Sequence, residues 1–417
     1  MTLVLLASPA SMATSITALN AANFFMADVR DGLGPFLGVF LQNRQWSASE
    51  IGIVMTIGGL AGMIATTPAG ILVDTTKAKR ALAITAIVAV ILANAINYLY
   101  PTFPITAAAQ TISAIGGAAM GPIIAALTLG LVKQAGFAHQ LGRNEAFNHA
   151  GNASAAALAG LLGYLFGFVA IFVLMSAMAV ASAIAVLSIK GGDIDHEAAR
   201  GRENVGADAP AVSSYSTLLT SRPLIVIAVT MALFHLGNAA MLPLLGQAMV
   251  ARGDQWDPSA YTAATILIAQ ITMIPAALLA ARIAEVRGYS PLFIAALVAL
   301  PIRGLIAWSF TEPGALIPVQ ILDGVGAGLL GVALPGLVAR VLAGTGHVNA
   351  GLGAVMTVQG IGAAFSTTIA GFAADRWSYG AAFLILGAIA LAGLAFWLLN
   401  ARFFTPRSTG QLDPNTT

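Results

Sequence analysis

The sequence predicts an all-α integral membrane protein, with twelve transmembrane helices arranged as two parallel-repeat six-helix bundles around a central cavity. Three observations lead to this prediction. Of the 417 residues, 58% are hydrophobic and only 9% are charged, whereas soluble globular proteins contain about 25% charged residues. About twelve runs of roughly 20 apolar residues follow one another along the chain. The second half of the chain also repeats motifs of the first half.

The apolar runs have the length of membrane-spanning helices. A hydrocarbon core of about 30 Å is crossed by about 20 helical residues, and the runs lack the alternation that is typical of barrel strands. The predicted spans are 14–42, 51–73, 81–100, 105–132, 144–166, 169–189, 223–249, 259–281, 290–310, 315–339, 349–373 and 378–401. Residues 1–189 are therefore predicted to form an N-terminal bundle, residues 190–222 a mobile polar linker in the cytoplasm, and residues 223–417 a C-terminal bundle with a short cytoplasmic tail.

The distribution of basic residues predicts the orientation in the membrane. With the N-terminus inside, fourteen of the nineteen Lys and Arg residues fall in cytoplasmic segments, three fall on the other side and two lie within spans. Because cytoplasmic loops carry an excess of Lys and Arg, both termini are expected in the cytoplasm, and a bacterial inner membrane is the expected location. The 19 basic and 17 acidic residues nearly cancel, which predicts no nucleic-acid partner.

An internal repeat relates the two bundles. Residues 45–49 (QWSAS) and 255–259 (QWDPS) match at an offset of 210, and residues 110–116 (QTISAIG) and 320–326 (QILDGVG) match at the same offset. Each matched pair lies at an equivalent position relative to the spans, which indicates a duplicated six-helix unit. Because six is an even number, both copies enter the membrane from the same side. Parallel repeats of this kind enclose a midplane site in some secondary transporters.

The loop after the second span carries a motif of a known family. Residues 70–80 (GILVDTTKAKR) resemble the signature G-x-L-x-D-R-x-G-R-K, which lies between the second and third helices in the major facilitator superfamily. The matching residues are Gly70, Asp74, Lys79 and Arg80, and Glu285 is the acid of the second copy. The resemblance implies a transporter in which helices 1, 4, 7 and 10 line a central cavity. It also implies that this loop locks the outward-facing state, so its role is conformational.

Polar residues crowd one side of the first span, namely Asn20, Asn23, Asp28, Arg30 and Asp31. Ionisable side chains within a span cost several kcal/mol and are site candidates by default. At 100° per residue the five lie within an arc of about 160°, which predicts a substrate and proton cavity on this side. A salt-bridge cluster that only fixes helix packing is the alternative. Gly32, Gly34 and Pro35 follow and are expected to loosen or kink the helix.

Other spans add further cavity candidates: Gln110, His235, Asn238, Gln320 and Asp323. Asp323 is the strongest of these, because an acid inside an apolar span needs a partner or a proton. Arg303 in the ninth span is expected to pair with Asp323 or to reach the outer interface. At the start of the fifth span, four polar residues share one helix face. They predict a cytoplasmic-side gate, a proton path or part of the substrate site, with a hydrogen-bonded helix start as the structural alternative. They are Glu145, Asn148, His149 and Asn152.

The sequence contains no signature of catalysis. It lacks a Walker A motif, a G-x-S-x-G motif, metal-ligand spacing and any cysteine. No enzyme activity, metal or cofactor is therefore expected, and the energy for transport should come from an ion gradient or from the substrate's own gradient. Protons are the expected coupling ion, and Asp31 is the first choice for the group that carries them, because it is central in the polar arc.

Three functions stay open from the sequence. The first is proton-coupled export of a small amphiphilic or cationic compound, which the net negative charge of the candidate cavity favours. The second is proton-coupled import of a small nutrient such as a monocarboxylate, with Arg30 as its ligand. The third is a non-transporting membrane sensor or assembly partner, against which the short linker counts. A small-molecule solute and the lipid bilayer are the expected partners, and the resemblance implies a monomer.

Overall fold

The structure, a computed structural model, describes residues 9–31, 33–200, 221–253, 256–309, 314, 316–342 and 348–404. The helices are α1 (Pro9–Asp31), α2 (Gly34–Asn43), α3 (Ala48–Thr75), α4 (Lys79–Leu99), α5 (Phe103–Phe166), α6 (Phe168–Ser188), α7 (Arg222–Asn238), α8 (Met241–Arg252), α9 (Pro258–Arg287), α10 (Ser290–Ser309), α11 (Leu316–Val341), α12 (Val348–Arg376) and α13 (Tyr379–Leu399). Among the described residues, ten helical stretches are long and apolar enough to cross a membrane. The other two crossings are α1 with α2 and the second arm of α5, whose sequences hold the polar residues of the predicted cavity and gate. The predicted twelve-helix arrangement is thus confirmed.

The local sequence fixes where equivalent helices of the two halves begin. Ser47 and Glu50 form a capping box at the start of α3, in which the Glu50 N–H donates to the Ser47 hydroxyl (3.2 Å) and the Ser47 N–H donates to the Glu50 carboxylate (3.0 Å). At the start of α9, the Asp257 carboxylate accepts hydrogen bonds from the N–H groups of Ser259 and Ala260, both at 2.9 Å. Ser47 and Asp257 are separated by the repeat offset of 210. Both copies therefore re-enter the membrane with a capped helix.

Two crossings are interrupted. α1 ends at Asp31, and α2 begins at Gly34, which has a φ of +45° and is followed by Pro35 in the first turn. This break agrees with the prediction, because glycine adopts positive φ readily and proline suits a helix start. The corresponding crossing of the C-terminal half breaks between Asn238 and Met241, where Gly237 precedes the break and Pro243 lies in the first turn of the next helix.

The fourth and fifth spans form one helical element, α5, with a break at Lys133 (φ 57°, ψ −177°). The second arm therefore begins right after Lys133, about three turns before the predicted start at residue 144. The predicted start lies too far along the chain because polarity marks where a helix enters the apolar region, not where its hydrogen bonding begins.

The start of the predicted linker is docked on the N-terminal half. It forms two short 3₁₀ turns, Gly191–Asp193 and Ala198–Arg200. The Ser15 hydroxyl donates to Asp193 (2.6 Å), and Asp195 forms an ion pair with Lys133 (3.4 Å). These contacts correct the prediction of a mobile segment for residues 190–200, because both acids find partners on α1 and α5. The rest of the linker lies outside the described residues.

The two six-helix halves have largely separate hydrophobic cores and meet along three pairs of helices: α3 with α12, α5 with α9, and α2 with α8. We call the end of the bundle where α1 begins the terminal face, and the other end the opposite face. The hydrogen bonds described between the halves join residues 42–56 to residues 364–379, toward the opposite face. We call this cross-half contact the opposite-face seal.

An acid and close backbone approach hold the opposite-face seal together. The Asp375 carboxylate accepts hydrogen bonds from the N–H groups of Ala48 (3.0 Å) and Ser49 (2.8 Å) and from the Ser49 hydroxyl. It thereby caps the N-terminus of α3 from the other half of the molecule, where a negative charge is favourable. Gly52 and Gly371 let α3 and α12 approach so closely that a Cβ at either position would clash with backbone of the facing helix.

Candidate functional site

The C-terminal half contains a cavity of about 460 Å³ between α7, α10, α11 and α12, which we call the C-terminal cavity. Its volume is within the range of small-molecule sites. Much of its wall is apolar, with Met231, Phe234, Leu300, Leu334 and Met356 among the lining residues. The polar side chains in the wall are His235, Asn238, Arg303, Asp323 and Gln359. An apolar chamber with a few polar groups is typical of sites for amphiphilic ligands.

A buried ion pair lies at this cavity. Arg303 on α10 is 1% exposed, and its Nη1 lies 2.7 Å from Asp323 Oδ1 on α11. The same nitrogen donates to Asn238 Oδ1 on α7 at 2.5 Å. The pairing of Arg303 with Asp323 that the sequence predicts is therefore present. Because the attraction of two charges is strong where water is scarce, this pair ties three helices together.

Unsatisfied polar atoms surround the ion pair. Among the described residues, Arg303 Nε, Gln320 Nε2 and Gln359 Oε1 are buried without a hydrogen-bond partner. Gln320 is fully buried, and its Oε1 lies 3.5 Å from Arg303 Nη2. A buried polar atom without a partner costs roughly 1–3 kcal/mol. Of these residues, Arg303 and Gln359 line the cavity, so a ligand with a polar group can supply the partner that their atoms lack.

The most heavily charged predicted group lies at the end of α1. Asp28, Arg30 and Asp31 lie in the last turns of α1, next to the break before α2. Their side chains lie outside the described residues.

The two asparagines of the first span have different surroundings. Asn20 is 5% exposed and accepts a hydrogen bond from Gln140 Nε2 (2.7 Å). Gln140 also donates to Asn144 Oδ1 (2.9 Å), and Asn144 donates to the Thr128 hydroxyl (2.8 Å). We call these four residues the N-terminal amide network; it joins α1 to both arms of α5. Asn20 thus belongs to a buried neutral chain of hydrogen bonds.

Asn23 lies instead with two of the predicted gate residues. It lines a pocket of about 190 Å³ together with Glu145 and Asn148, between α1 and the two arms of α5. Of the other predicted gate residues, His149 is exposed and Asn152 is half-buried, and neither lines this pocket. The structure therefore brings Glu145 and Asn148 together with a residue of the first span.

Gln110 lies apart from the C-terminal cavity. It lines a separate cavity of about 520 Å³ in the N-terminal half, between α2, α3 and the first arm of α5. Its wall is mostly glycine and alanine, and Ser113 on the same helix is a second polar residue that lines it. Gly121 lines both this cavity and the pocket of Asn23, so the two spaces adjoin.

The predicted conformational loop makes contacts within its own half. Lys79 is 1% exposed, and its Nζ donates to two backbone carbonyls at the end of α3 (2.6 and 3.2 Å). Arg80 donates to the carbonyl that follows α6 (2.6 Å). Gly70 is half-buried and Glu285 is exposed, while the side chain of Asp74 lies outside the described residues. The basic residues of the motif thus fasten the loop to its own bundle.

Several residues of the polar centres were not among the predicted site residues. Gln359, Gln140 and Asn144 are amides in helical segments, so the same polarity criterion that selected Gln110 was available for them. Asn144 directly precedes Glu145 on the sequence, but it lies on the neighbouring face of the helix and packs inward. Sequence polarity identifies such residues but does not predict which of them contact one another.

Comparison with known proteins places the fold. A model of the Major Facilitator Superfamily matches residues 14–311. Two uncharacterized MFS-type transporters of Mycobacterium tuberculosis, from strains CDC 1551 and H37Rv, are each 40% identical over 384 residues, which cover 92% of this chain and 92% of the relative.

Solved structures give the same result at low sequence identity. The crystal structure of the nucleoside transporter NupG is 14% identical with a TM-score of 0.70, over 95% of this chain and 100% of that chain. A bacterial homolog of the human lysosomal transporter Spinster, in an inward-facing and occupied conformation, is 11% identical with a TM-score of 0.76, over 95% of this chain and 98% of that chain. At these identities the likeness concerns the fold alone.

Proposed function

This chain belongs to the major facilitator superfamily and is a membrane transporter rather than an enzyme, and we propose that it exports a small amphiphilic or cationic compound in exchange for protons. The observation that carries the proposal is the C-terminal cavity, in which a buried ion pair interrupts an apolar wall. The proposal includes alternating access between the two faces of the membrane.

The asymmetry of the contacts between the halves supports alternating access. The opposite-face seal holds α3 against α12 through Asp375, Thr56 and close backbone approach. Nearer the terminal face, Met356 on α12 is 54% exposed and lines the C-terminal cavity. If the terminal face is the cytoplasmic one, as the excess of basic residues predicts, this arrangement is an inward-open state.

The chemistry of the C-terminal cavity supports the class of solute. Its apolar side chains favour a hydrophobic body, because burying apolar surface is the main source of binding energy in such sites. The guanidinium of Arg303 is already compensated by Asp323, so the described lining residues offer no uncompensated cation for an anionic solute. Asp323 keeps 17% of its side chain exposed and can accept a cationic group or a proton.

Two carboxylates are the proposed proton carriers. Asp31 is the candidate from the polar arc of α1, and Asp323 is the candidate that shares a cavity wall with His235. A carboxylate in an apolar site alternates easily between its charged and neutral forms when its partner or its access to water changes. Proton entry would drive solute export if the proton and the solute bind the same carboxylate one after the other, so that each displaces the other.

Cells that express the wild type, Asp31→Asn or Asp323→Asn test the proposal. The assay measures accumulation of amphiphilic cations, neutral amphiphiles, monocarboxylates and nucleosides, with and without a protonophore. We expect lower accumulation of an amphiphile or cation in the wild type, and loss of this effect with the protonophore and with at least one variant. Glu197→Gln changes an exposed carboxylate outside the spans and serves as the matched control.

Other outcomes would overturn the proposal in defined ways. Raised accumulation of a monocarboxylate or nucleoside with the same protonophore dependence would make the protein an importer. A wild type that matches the empty vector for every solute would exclude export of the proposed solute classes.

A further inference from the structure

The break between α7 and α8 is held by side chains from two other helices. Asn238, the last residue of α7, accepts a hydrogen bond from Arg303 Nη1 (2.5 Å). Two residues later, the Ala240 N–H donates to the Ser366 hydroxyl on α12 (3.0 Å). Gly237 precedes the break and Pro243 lies in the first turn of α8, where its ring nitrogen cannot donate to the carbonyl of residue 239. The sequence thus weakens the helix locally, and the contacts with Arg303 and Ser366 tie the two sides of the break to α10 and α12.

α8 packs beside the opposite-face seal, against residues of α3 and α12 that form it. It packs against α2 so tightly that a Cβ at Gly38 would lie 2.8 Å from Gln247 Nε2, and one at Gly246 would lie 2.5 Å from Val39 Cγ2. Leu244 on the same helix is 2% exposed and faces α3 and α12. A change in the direction of α8 must therefore disturb the seal.

We propose that Arg303 is a positioning residue that couples the charge of Asp323 to the opposite-face seal through Asn238 and the α7–α8 break. One nitrogen of Arg303 holds both Asp323 and Asn238. While Asp323 is ionised, the guanidinium stays between the two helices and orients the end of α7. The proposal rests on the proposed function, because it names how a proton or a cationic group at Asp323 acts on the gate.

Neutralising Asp323 removes the partner that keeps the guanidinium in place. A proton on the carboxylate, or a cationic solute group that takes over the carboxylate, leaves Arg303 as an uncompensated charge that is 1% exposed. Such a charge is strongly unfavourable in an apolar interior, so the guanidinium moves toward the cavity and releases Asn238. The end of α7 then loses its bond to α10, and the seal loosens.

Other polar groups around Asp323 affect its charge and therefore the proposed coupling. From α7, His235 lines the same cavity; from α10, Arg303 is the paired cation; from α12, the cavity receives the neutral Gln359. On α11 itself, the neighbouring polar group is the neutral Gln320. Among the described lining residues, His235 is therefore the other group whose protonation alters the field at Asp323, and it must be replaced in a control.

Distance measurements between spin labels at the opposite face test the coupling without any transported solute. The natural chain has no cysteine, so Arg44→Cys and Trp256→Cys can be labelled directly. Both positions are exposed; Arg44 follows the last residue of α2, and Trp256 lies two residues before the start of α9. The labelled protein in lipid nanodiscs should give mainly a short distance. We expect Asp323→Asn to raise the ratio of the long-distance to the short-distance population about tenfold, and Asp323→Glu to leave it unchanged.

A double-mutant cycle separates coupling from general loosening. Asn238→Ala should also lengthen the distance, and the double variant with Asp323→Asn should show no more than the larger single effect, because both act through Arg303. Asp375→Asn weakens the seal directly, so its effect should add to that of Asp323→Asn. His235→Gln should leave the effect of Asp323→Asn intact.

Two results would overturn the proposal: additive effects of Asn238→Ala and Asp323→Asn, or an unchanged distance in Asp323→Asn protein that is monodisperse and melts cooperatively. If the accumulation assay fails while the cycle is non-additive, the coupling stands and the proposed transport does not. If transport is proton-driven while the cycle is additive, the proposed function stands without this coupling.

Discussion

The polar centres of the two halves differ in a way that the repeat makes easy to compare. The pocket lined by Asn23 in the N-terminal half and the C-terminal cavity have equivalent lining residues. Gly121 corresponds to Gly331 at an offset of 210, and Leu141 and Asn148 correspond to Leu352 and Gln359 at an offset of 211. The same frame places Ala93 and Ser113 where the second copy has Arg303 and Asp323. The two halves thus share a framework of pockets, but of these paired positions only the second copy has the ion pair.

The difference teaches how a duplicated bundle can divide its tasks. The N-terminal amide network is neutral, so its hydrogen bonds do not depend on a proton or on a charged ligand. The ion pair of the C-terminal half depends on both, because losing either charge leaves the other buried and uncompensated. We infer that the C-terminal half contains the responsive part of the site and the amide network the more rigid part.

The largest expected effect is the loss of the carboxylate in the C-terminal half. Asp323→Ala should lower the free energy of unfolding by about 3 kcal/mol or more, because it leaves Arg303 buried without its partner. Ser113→Ala at the corresponding position of the first copy should change it by less than about 1 kcal/mol. Denaturant unfolding of both variants in the same detergent measures the contrast, and equal losses would remove the distinction between the halves.

A smaller effect is expected from breaking the N-terminal amide network. Asn144→Leu removes the partner of Gln140 and Thr128 and should cost about 1–3 kcal/mol. It should leave the pH dependence of transport unchanged, since no charge is involved. Asn152→Leu, in the same arm of α5 but half-buried, is the matched control for stability. A shifted pH profile in Asn144→Leu would contradict the rigid role of the network.

A still smaller change in stability is expected at Gln359. Its side-chain oxygen is buried without a partner among the described residues, so Gln359→Leu should change the free energy of unfolding by less than about 1 kcal/mol. The apparent affinity for the transported solute should nevertheless fall about fivefold, since a hydrogen bond is worth about 1 kcal/mol. Stability and solute affinity measured on one preparation would separate the two roles; unchanged affinity would exclude Gln359 from the site.

The smallest effect concerns acid stability outside the membrane. The hydrogen bond from Ser15 holds the pKa of Asp193 below its ordinary value, with a further contribution from Ser11, while partial desolvation acts in the other direction. A lowered pKa means that the bond stabilises the fold above the ordinary aspartate pKa and that this contribution is lost as the pH falls below it. Melting temperatures of the wild type and Asp193→Asn should therefore converge in acid, and a constant difference down to pH 3 would contradict this.

Much of the fold could be predicted from the sequence, for physical reasons that particular residues illustrate. Apolar length gave the crossings, because backbone in lipid must satisfy its own hydrogen bonds. Gly34 and Pro35 predicted the break after α1, because both residues restrict or free the backbone dihedral angles at their own positions. Gly237 and Pro243 flank the break at Asn238 in a similar way, but its contacts with Arg303 and Ser366 come from distant parts of the chain and could not be predicted. The docking of Asp193 on α1 was likewise hidden in a segment that is polar throughout.

The sequence by itself determined that this protein is a duplicated twelve-helix membrane transporter, because hydrophobic length, the repeat offset and the loop motif are all local or periodic properties. Only the tertiary structure decided which intramembrane polar residues meet. It assigned Asn20 to a neutral network, Asn23 to the pocket of Glu145, and Asp323 to Arg303. Helix periodicity predicts the side of a helix on which a residue lies, but the helix that contacts this side depends on how all the helices pack. The same packing seals the opposite face of the bundle and leaves Met356 exposed nearer the terminal face.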